Sequence, residues 1–334
     1  MVYQDVHGIV VPIAPGGYTV GGLLLLNLLA AHIRRFSLTW KKSGIFLAHF
    51  GLILLLIGEL LSGLWQEDFY LRLDQGETKN YAESHVYNEL AIIDTTDAKT
   101  DFVVAIPESL LAKRGSVQHP KLPFRVDTKI YYPNSSLFMQ GPSSPPSPAT
   151  TGMGLQVVAA PQPVTYKQSE SNSPSAYVEL IGTDGTIGTY LVSSGLGAPQ
   201  PFNYGGRTWT LSLRAQRLYK PFSLTLLKFS HDRYAGTEIP KNFSSRLRLN
   251  TPDGHDDREV LVYMNNPLRY AGLTFYQAGF ENNDRTSVLQ VVRNPSWLIP
   301  YVACSLISLG LLIQFGIHLA GFINKRLGKA TVAA

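Results

Sequence analysis

Three apolar runs interrupt an otherwise polar chain: Tyr18 to Ile33, Gly44 to Leu64 and Trp297 to Ile323. A helix rises 1.5 Å per residue, so about twenty apolar residues cross the hydrocarbon core of a bilayer. Each run is therefore predicted to be a transmembrane helix. Between the second and third runs the pattern changes to short stretches with partial two-residue alternation, rich in Val, Tyr, Thr and Phe and separated by Gly, Pro, Asn and Asp. FYLRLD, ELAIID, DFVVAI, FRVDTKIYY, LQVVAA, YVELIG, TYLVSS, TWTLSLRAQRL, FSLTLLKFS, SRLRL, EVLVYM and LTFYQAGF all read this way. Many short strands with turn signals indicate an all-β domain of sandwich or barrel-like form. Only ESLLAKRG looks locally helical.

The predicted fold class is a membrane protein with three transmembrane α-helices and a large β-rich domain between the second and third. Its segments are an extracytoplasmic stretch at 1–17, helices at 18–33, 44–65 and 297–323, a basic loop at 34–43, the β domain at 66–296 and a tail at 324–334. Within the β domain, GPSSPPSPATTG at 141–152 has no apolar period and is expected to be a flexible loop, a candidate divider between two lobes. ENNDRTSVLQVVRNPSW reads as the connection back to the membrane, giving the domain a second tether.

Charge fixes the expected orientation. The net charge is +5, yet the basic residues form no single stripe of the kind nucleic acid requires. Arg34, Arg35, Lys41 and Lys42 crowd the short loop between the first two runs, and NKRLGK follows the third. Both stretches are assigned to the cytoplasm by the positive-inside rule, which places the β domain on the periplasmic or extracytoplasmic side of a cytoplasmic membrane. Residues 1–17 then lie outside, although MVYQDVHGIVVPIAPGG has no basic and apolar signal regions; a further upstream helix is expected in the same frame or on another chain.

Cys304 is the only cysteine, which excludes an intrachain disulfide, CxxC redox chemistry and CxxCH haem attachment to this chain. No GxSxG, Walker loop or dinucleotide fingerprint is present. His85, His119, His231 and His255 lack metal-ligand spacing, and HDR at His231 and GHDD at His255 read as solvated turns. No catalytic residues are assigned.

The chemistry concentrates in the second run, where His49 and Glu59 place ionisable groups at membrane depth. His49 lies in the cytoplasmic half, and Glu59 near the outer face reads as a packing or interfacial group. Gly44, Gly51 and Gly58 repeat at sevens along a side roughly opposite His49, so the glycine seam and the imidazole should meet different neighbours. From chemistry alone His49 is either an interhelical hydrogen-bonder or an axial ligand to haem iron. Asn27 is expected to bond across to a neighbouring helix, and His32 and His318 sit beside basic residues as interfacial groups.

LAHFGLILLLIGELLSG, RLDQGETKNY, YKPFSLTLLKFSHDRYAGTEIPKNFSSRLRL and VYMNNPLRYAGLTFYQAGF together resemble ResB-type cytochrome c biogenesis proteins, also called CcsB, over most of the chain. The resemblance implies a maturation factor that works with CcsA, a haem-handling membrane protein. The pair would export haem b, carried transiently, and support its attachment to apocytochrome c in the pathway called System II. It implies that His49 is the family's membrane histidine and ligates haem iron. It implies a non-catalytic subunit of a cytochrome c synthase, or haem lyase, complex, with apocytochrome c and a thioredoxin-like thiol reductant as further partners. The alternative is a scaffold or apocytochrome-binding subunit that never touches haem. Two departures stand out. The family usually has four spans and the first is missing here; Trp40, Trp65, Trp209 and Trp297 are isolated, so the tryptophan-rich motif of CcsA is absent and the chain is not a fused CcsBA.

Overall fold

A computed structural model describes residues 2–6, 9–14, 16–35, 39–97, 100–141, 146–165, 171–237 and 240–332. In chain order the elements are β1 (Val2–Val6), β2 (Ile9–Ala14), α1 (Gly17–Arg35), α2 (Ser43–Trp65), β3 (Glu67–Asp74), β4 (Thr78–Asp94), β5 (Phe102–Pro107), α3 (Glu108–Ala112), β6 (Ser116–Val117), β7 (Arg125–Tyr132), β8 (Ser135–Met139) and β9 (Val157–Pro161). They continue with β10 (Ser175–Gly182), β11 (Gly185–Ser193), β12 (Gln200–Tyr204), β13 (Arg207–Arg233), β14 (Pro240–Asn250), β15 (Asp257–Tyr263), β16 (Leu268–Tyr270), β17 (Leu273–Glu281), β18 (Thr286–Arg293) and α4 (Ile299–Val332).

These elements form two compact units. One comprises Met1–Glu67, Arg269–Thr274 and Val292–Ala334; the other comprises Asp68–Leu268 and Phe275–Val291. Every stretch read from alternation falls on a strand, and the result is a large β-rich domain. A ten-stranded sheet runs β15-β14-β13-β4-β3-β18-β17-β16, with β12 on β13 and β5 on β4; β11-β10-β7-β6 form a second sheet.

The first core of the β unit is the apolar filling between these sheets. Leu90 and Ile92 of β4, Val104 and Ile106 of β5 and Trp209 and Leu211 of β13 meet Val126 of β7 and Val178 and Leu180 of β10. Phe124 meets Trp209 edge-on at 5.3 Å, and the buried indole Nε1–H donates to the Tyr204 carbonyl at 3.2 Å. A second buried group follows further along the ten-stranded sheet, with Leu71, Leu73, Phe222, Leu224, Leu226, Leu247, Phe275 and Leu289.

β13 belongs to both cores, and its parity shows how. Trp209, Leu211 and Leu213 point inward at odd numbers, whereas Phe222, Leu224 and Leu226 do so at even numbers, and Phe229 returns to odd. Side chains alternate strictly along a strand, so a change of parity needs a bulge. One lies between Leu226 and Lys228, where β14 advances by a single residue from Leu247 to Arg246. Register against β4 also shifts between Ala215 and Arg217. Where the odd-numbered run ends, Arg214 pairs with Glu89 on β4 at 3.0 Å, both side chains nearly buried.

Two expectations change, and one segment gains structure that the sequence did not mark. Residues 286–293, read as a connection, are strand β18. The stretch at 141–152 is only partly described, 142–145 lying outside; its second half is held in place, with the Thr150 and Thr151 amides donating to Thr189 O and Ala149 buried against Tyr177 and Leu191. Residues 1–17 include an antiparallel hairpin, β1–β2.

Among the described residues two helices are long and apolar enough to cross a membrane, Trp40–Trp65 and Ile299–Arg326. The run at Tyr18–Ile33 forms α1, a helix of 19 residues.

Candidate functional site

α2 and α4 pack face to face along the glycine seam. A Cβ on Gly44 would lie 2.5 Å from Gln314 N and Gly310 O, one on Gly51 2.7 Å from Ile307 Cγ1, and one on Gly58 2.6 Å from Ile299 Cγ2. Glycine is needed at these positions because the partner helix occupies the space where a side chain would start. Gly310 on α4 returns the arrangement, its missing Cβ 2.6 Å from Ala48 N.

Gln314 pins the end of this pair at which α2 starts. The first amides of a helix have no intrahelical acceptor; here the Ile45 N–H donates to Gln314 Oε1 at 3.2 Å. The Gln314 amide nitrogen donates in turn to Lys41 O at 3.4 Å and to His318 Nε2 at 2.9 Å. With Nε2 engaged this way, His318 serves this network.

His49 projects from the other side of α2 and is exposed. Its Nδ1 lies 2.8 Å from the Ile45 carbonyl one turn back. An imidazole nitrogen facing a carbonyl carries the proton, which makes Nε2 the basic nitrogen and holds the ring at a defined angle. This tautomer is the one a metal-binding imidazole uses when a backbone carbonyl orients it.

α1 brings a second imidazole to the same place. The His32 and His49 ring centres are 6.4 Å apart with planes inclined by 32°, and His32 stacks on Phe46 at 5.1 Å, which itself stacks on Phe50 at 6.3 Å. Sequence reading assigned His32 to the interface because Arg34 and Arg35 follow it. The signal for its true neighbour was the short loop: ten residues between two helices force them to lie antiparallel, which sets the end of α1 beside the start of α2. At the other end of the same pair, Gly17, Tyr18, Gly21, Gly22 and Leu25 of α1 and Leu56, Glu59 and Leu60 of α2 line a groove of about 380 Å³. Glu59 is exposed there, about ten residues along α2 from His49 and apart from the imidazole pair.

The β unit holds two buried groups that the sequence did not mark. His231, expected in a solvated turn, has a side chain only 4% exposed; its Nδ1 meets Asp284 Oδ1 at 2.9 Å and its ring lies 4.3 Å from that of Phe280. The correction follows from β13, which continues through HDR as a strand and carries the histidine inward. The Lys220 ammonium is buried with no hydrogen-bond partner, 5.8 Å from the rings of Phe222 and Phe275, and burial pushes its pKa down to about 8. His255 is exposed in a turn, its backbone N–H on Asp253 Oδ1. Among the described residues no group of three or more His, Cys, Asp or Glu side chains is placed to hold a metal ion.

Comparison with known proteins matches residues 39–288 to the model of the ResB-like family. Protein NrfI of Wolinella succinogenes is 22% identical over 292 residues, which cover 87% of this chain and 29% of that protein. The chain thus spans under a third of the length of that relative.

Proposed function

This chain belongs to the ResB-like family, and we propose that it is a cytochrome c maturation factor of the cytoplasmic membrane that works beside a CcsA-type haem-handling partner. Family membership supports a role in cytochrome c biogenesis. In this reading α1, α2 and α4 all span the membrane, the β domain lies on the periplasmic side, and haem b is the cargo. Thioether formation belongs to haem vinyl groups and reduced cysteine thiols, so the proteins contribute placement.

The observation that carries this reading is the exposed His49 ring on the side of α2 that α4 leaves uncovered, with Nδ1 tied to Ile45 O and Nε2 left as the basic nitrogen. An imidazole in that state is suited to axial ligation of haem iron, a partner's imidazole completing the pair, while apolar helix faces cover the porphyrin. Apocytochrome c and a thioredoxin-like reductant act at the β-domain side. The test is His49→Ala in the complex co-purified with the CcsA-type partner. Haem content should fall at least fivefold and the low-spin spectrum should be lost; unchanged haem loading and cytochrome maturation would remove the ligand role.

A second reading, a scaffold that captures apocytochrome without touching haem, is favoured by one feature of the β unit. β15 is an edge of the ten-stranded sheet, and Leu261 and Tyr263 are exposed on its outward face. Such an edge can accept an extended peptide as an added strand. Under this reading His49→Gln is tolerated, whereas charged substitutions at Leu261 and Tyr263 abolish maturation.

A further inference from the structure

We propose that the first turns of α4 hold an anionic phospholipid, with its phosphate against Arg269 and one acyl chain laid along the helix. The proposal rests on the reading of α4 as a membrane span and on nothing assigned to haem. Arg269, Trp297 and all of α4 belong to one compact unit.

The groove comes from the way α4 divides its surface. Ala303, Ile307 and Gly310 face α2: Ala303 is fully buried, Ile307 fills the space beside Gly51, and Gly310 abuts Ala48. At about 100° per residue, Tyr301, Val302, Ser305, Leu306 and Leu309 fall on the flank turned away from α2. They line a groove of about 300 Å³. Ser305 Oγ donates to the Tyr301 carbonyl one turn back at 2.8 Å, so the hydroxyl is satisfied by its own helix and makes no demand on an occupant. From Tyr301 to Leu309 the helix rises about 12 Å, close to the depth of one leaflet's hydrocarbon, about 15 Å. That shape suits an extended hydrocarbon chain entering from one side of the membrane.

The head of the groove is charged and aromatic. Arg269 on β16 donates from Nη2 to Tyr301 Oη at 3.0 Å, and its guanidinium carbon lies 5.0 Å from the centre of a Trp297 ring and 5.8 Å from that of Tyr301. The Trp297 and Tyr301 rings meet edge-on at 6.1 Å. Asn294 fixes this corner, because its side-chain amide donates to Ser62 Oγ on α2 at 3.0 Å and accepts from the Ser296 N–H at 2.8 Å. Tryptophan and tyrosine favour headgroup depth, and the exposed guanidinium beside them keeps its charge at any physiological pH. Phosphate is the anion found at that depth, and its oxygens match the planar guanidinium fork. A cation at the mouth of an apolar groove selects an amphiphile that carries both parts.

The experiment titrates the full chain in detergent with phosphatidylglycerol, phosphatidylcholine or glycerol phosphate and counts bound molecules by native mass spectrometry. Wild type should hold one phosphatidylglycerol at least fivefold more tightly than phosphatidylcholine and more than tenfold more tightly than glycerol phosphate. Arg269→Gln should abolish the preference between the two lipids, and Arg269→Lys should keep most of it. Leu306→Trp fills the groove and should weaken both lipids at least fivefold. An undiminished preference in Arg269→Gln, or undiminished lipid binding in Leu306→Trp, would overturn the proposal. Glycerol phosphate held as tightly as the lipid would overturn it in favour of a free-anion site. Cross-linking between copies through Leu309→Cys in a Cys304→Ser background, with no lipid bound, would give the groove to a second copy. Circular dichroism checks the folding of each variant; should Arg269→Gln fail to fold, Tyr301→Phe replaces it, with an expected two- to threefold loss of preference. Release of the chain from membranes by alkaline carbonate would refute the span reading together with the proposal, whereas a chain that stays in the membrane and shows no lipid preference refutes the proposal alone.

Discussion

His49 in the helical unit and His231 in the β unit show how differently one side chain can be used. Each has Nδ1 tied to an oxygen, Ile45 O for one and Asp284 Oδ1 for the other, and each therefore has a defined tautomer. Their surroundings are opposite. His231 is sealed against Phe280, and its Nε2 is buried without a partner; His49 is exposed, with a second imidazole beside it. An oriented ring becomes a ligand only where a metal can reach its other nitrogen, so access and not orientation separates the two.

Substitutions on the two regions can break or sharpen this contrast. The largest effect is expected on the closed face of α2, where Gly44→Val drives a side chain into the backbone of α4 and should cost about 3 kcal/mol or more. It would be seen as a sharp fall in Tm and in monodisperse protein. His231→Ala should come next, about 2–4 kcal/mol, because it opens space beside Phe280 and strips Asp284 of a partner. Haem binding by that variant should match wild type. His49→Ala should change stability by less than about 0.5 kcal/mol, as expected of an exposed side chain, while removing haem. Equal losses of stability at His49 and His231 would mean that both rings merely pack.

Lys220→Met is expected to have an effect of opposite sign. Burial lowers the lysine to about 8, so in the range between that value and the usual lysine pKa the unfolded chain binds more protons than the folded one, and stability rises with pH. The penalty for the buried amine is complete below pH 8 and fades above it. The substitution should therefore stabilise the protein by on the order of 2 kcal/mol at pH 7 and by almost nothing near pH 10.5. Chemical denaturation at the two pH values measures this, and an equal gain at both would assign the effect to apolar packing alone.

Much of the β domain was legible because period-two alternation survives in short windows. TWTLSLRAQRL and FSLTLLKFS each announce a strand, yet nothing in either reveals that both are pieces of one strand with a register shift between them. The separate bulge between Leu226 and Lys228 hid His231, since polar HDR after a change of parity looks like a turn. TSVLQVVR was missed for a different reason: standing just before an apolar run, it was read as a connection. In the helical unit the glycine seam was legible from its spacing of seven, and its partner proved to be α4. The imidazole pair was not, because two residues 17 positions apart meet only through the turn between α1 and α2.

β13 carries a mechanical consequence. At about 3.3 Å per residue its 27 residues would reach about 90 Å if straight, far more than a small domain can accommodate without bending. The irregularities let the ribbon curve, and the price is that two hydrophobic interiors depend on a single length of backbone. Heat or denaturant cannot melt one interior without pulling on the other, so the β unit should come apart in a single cooperative step.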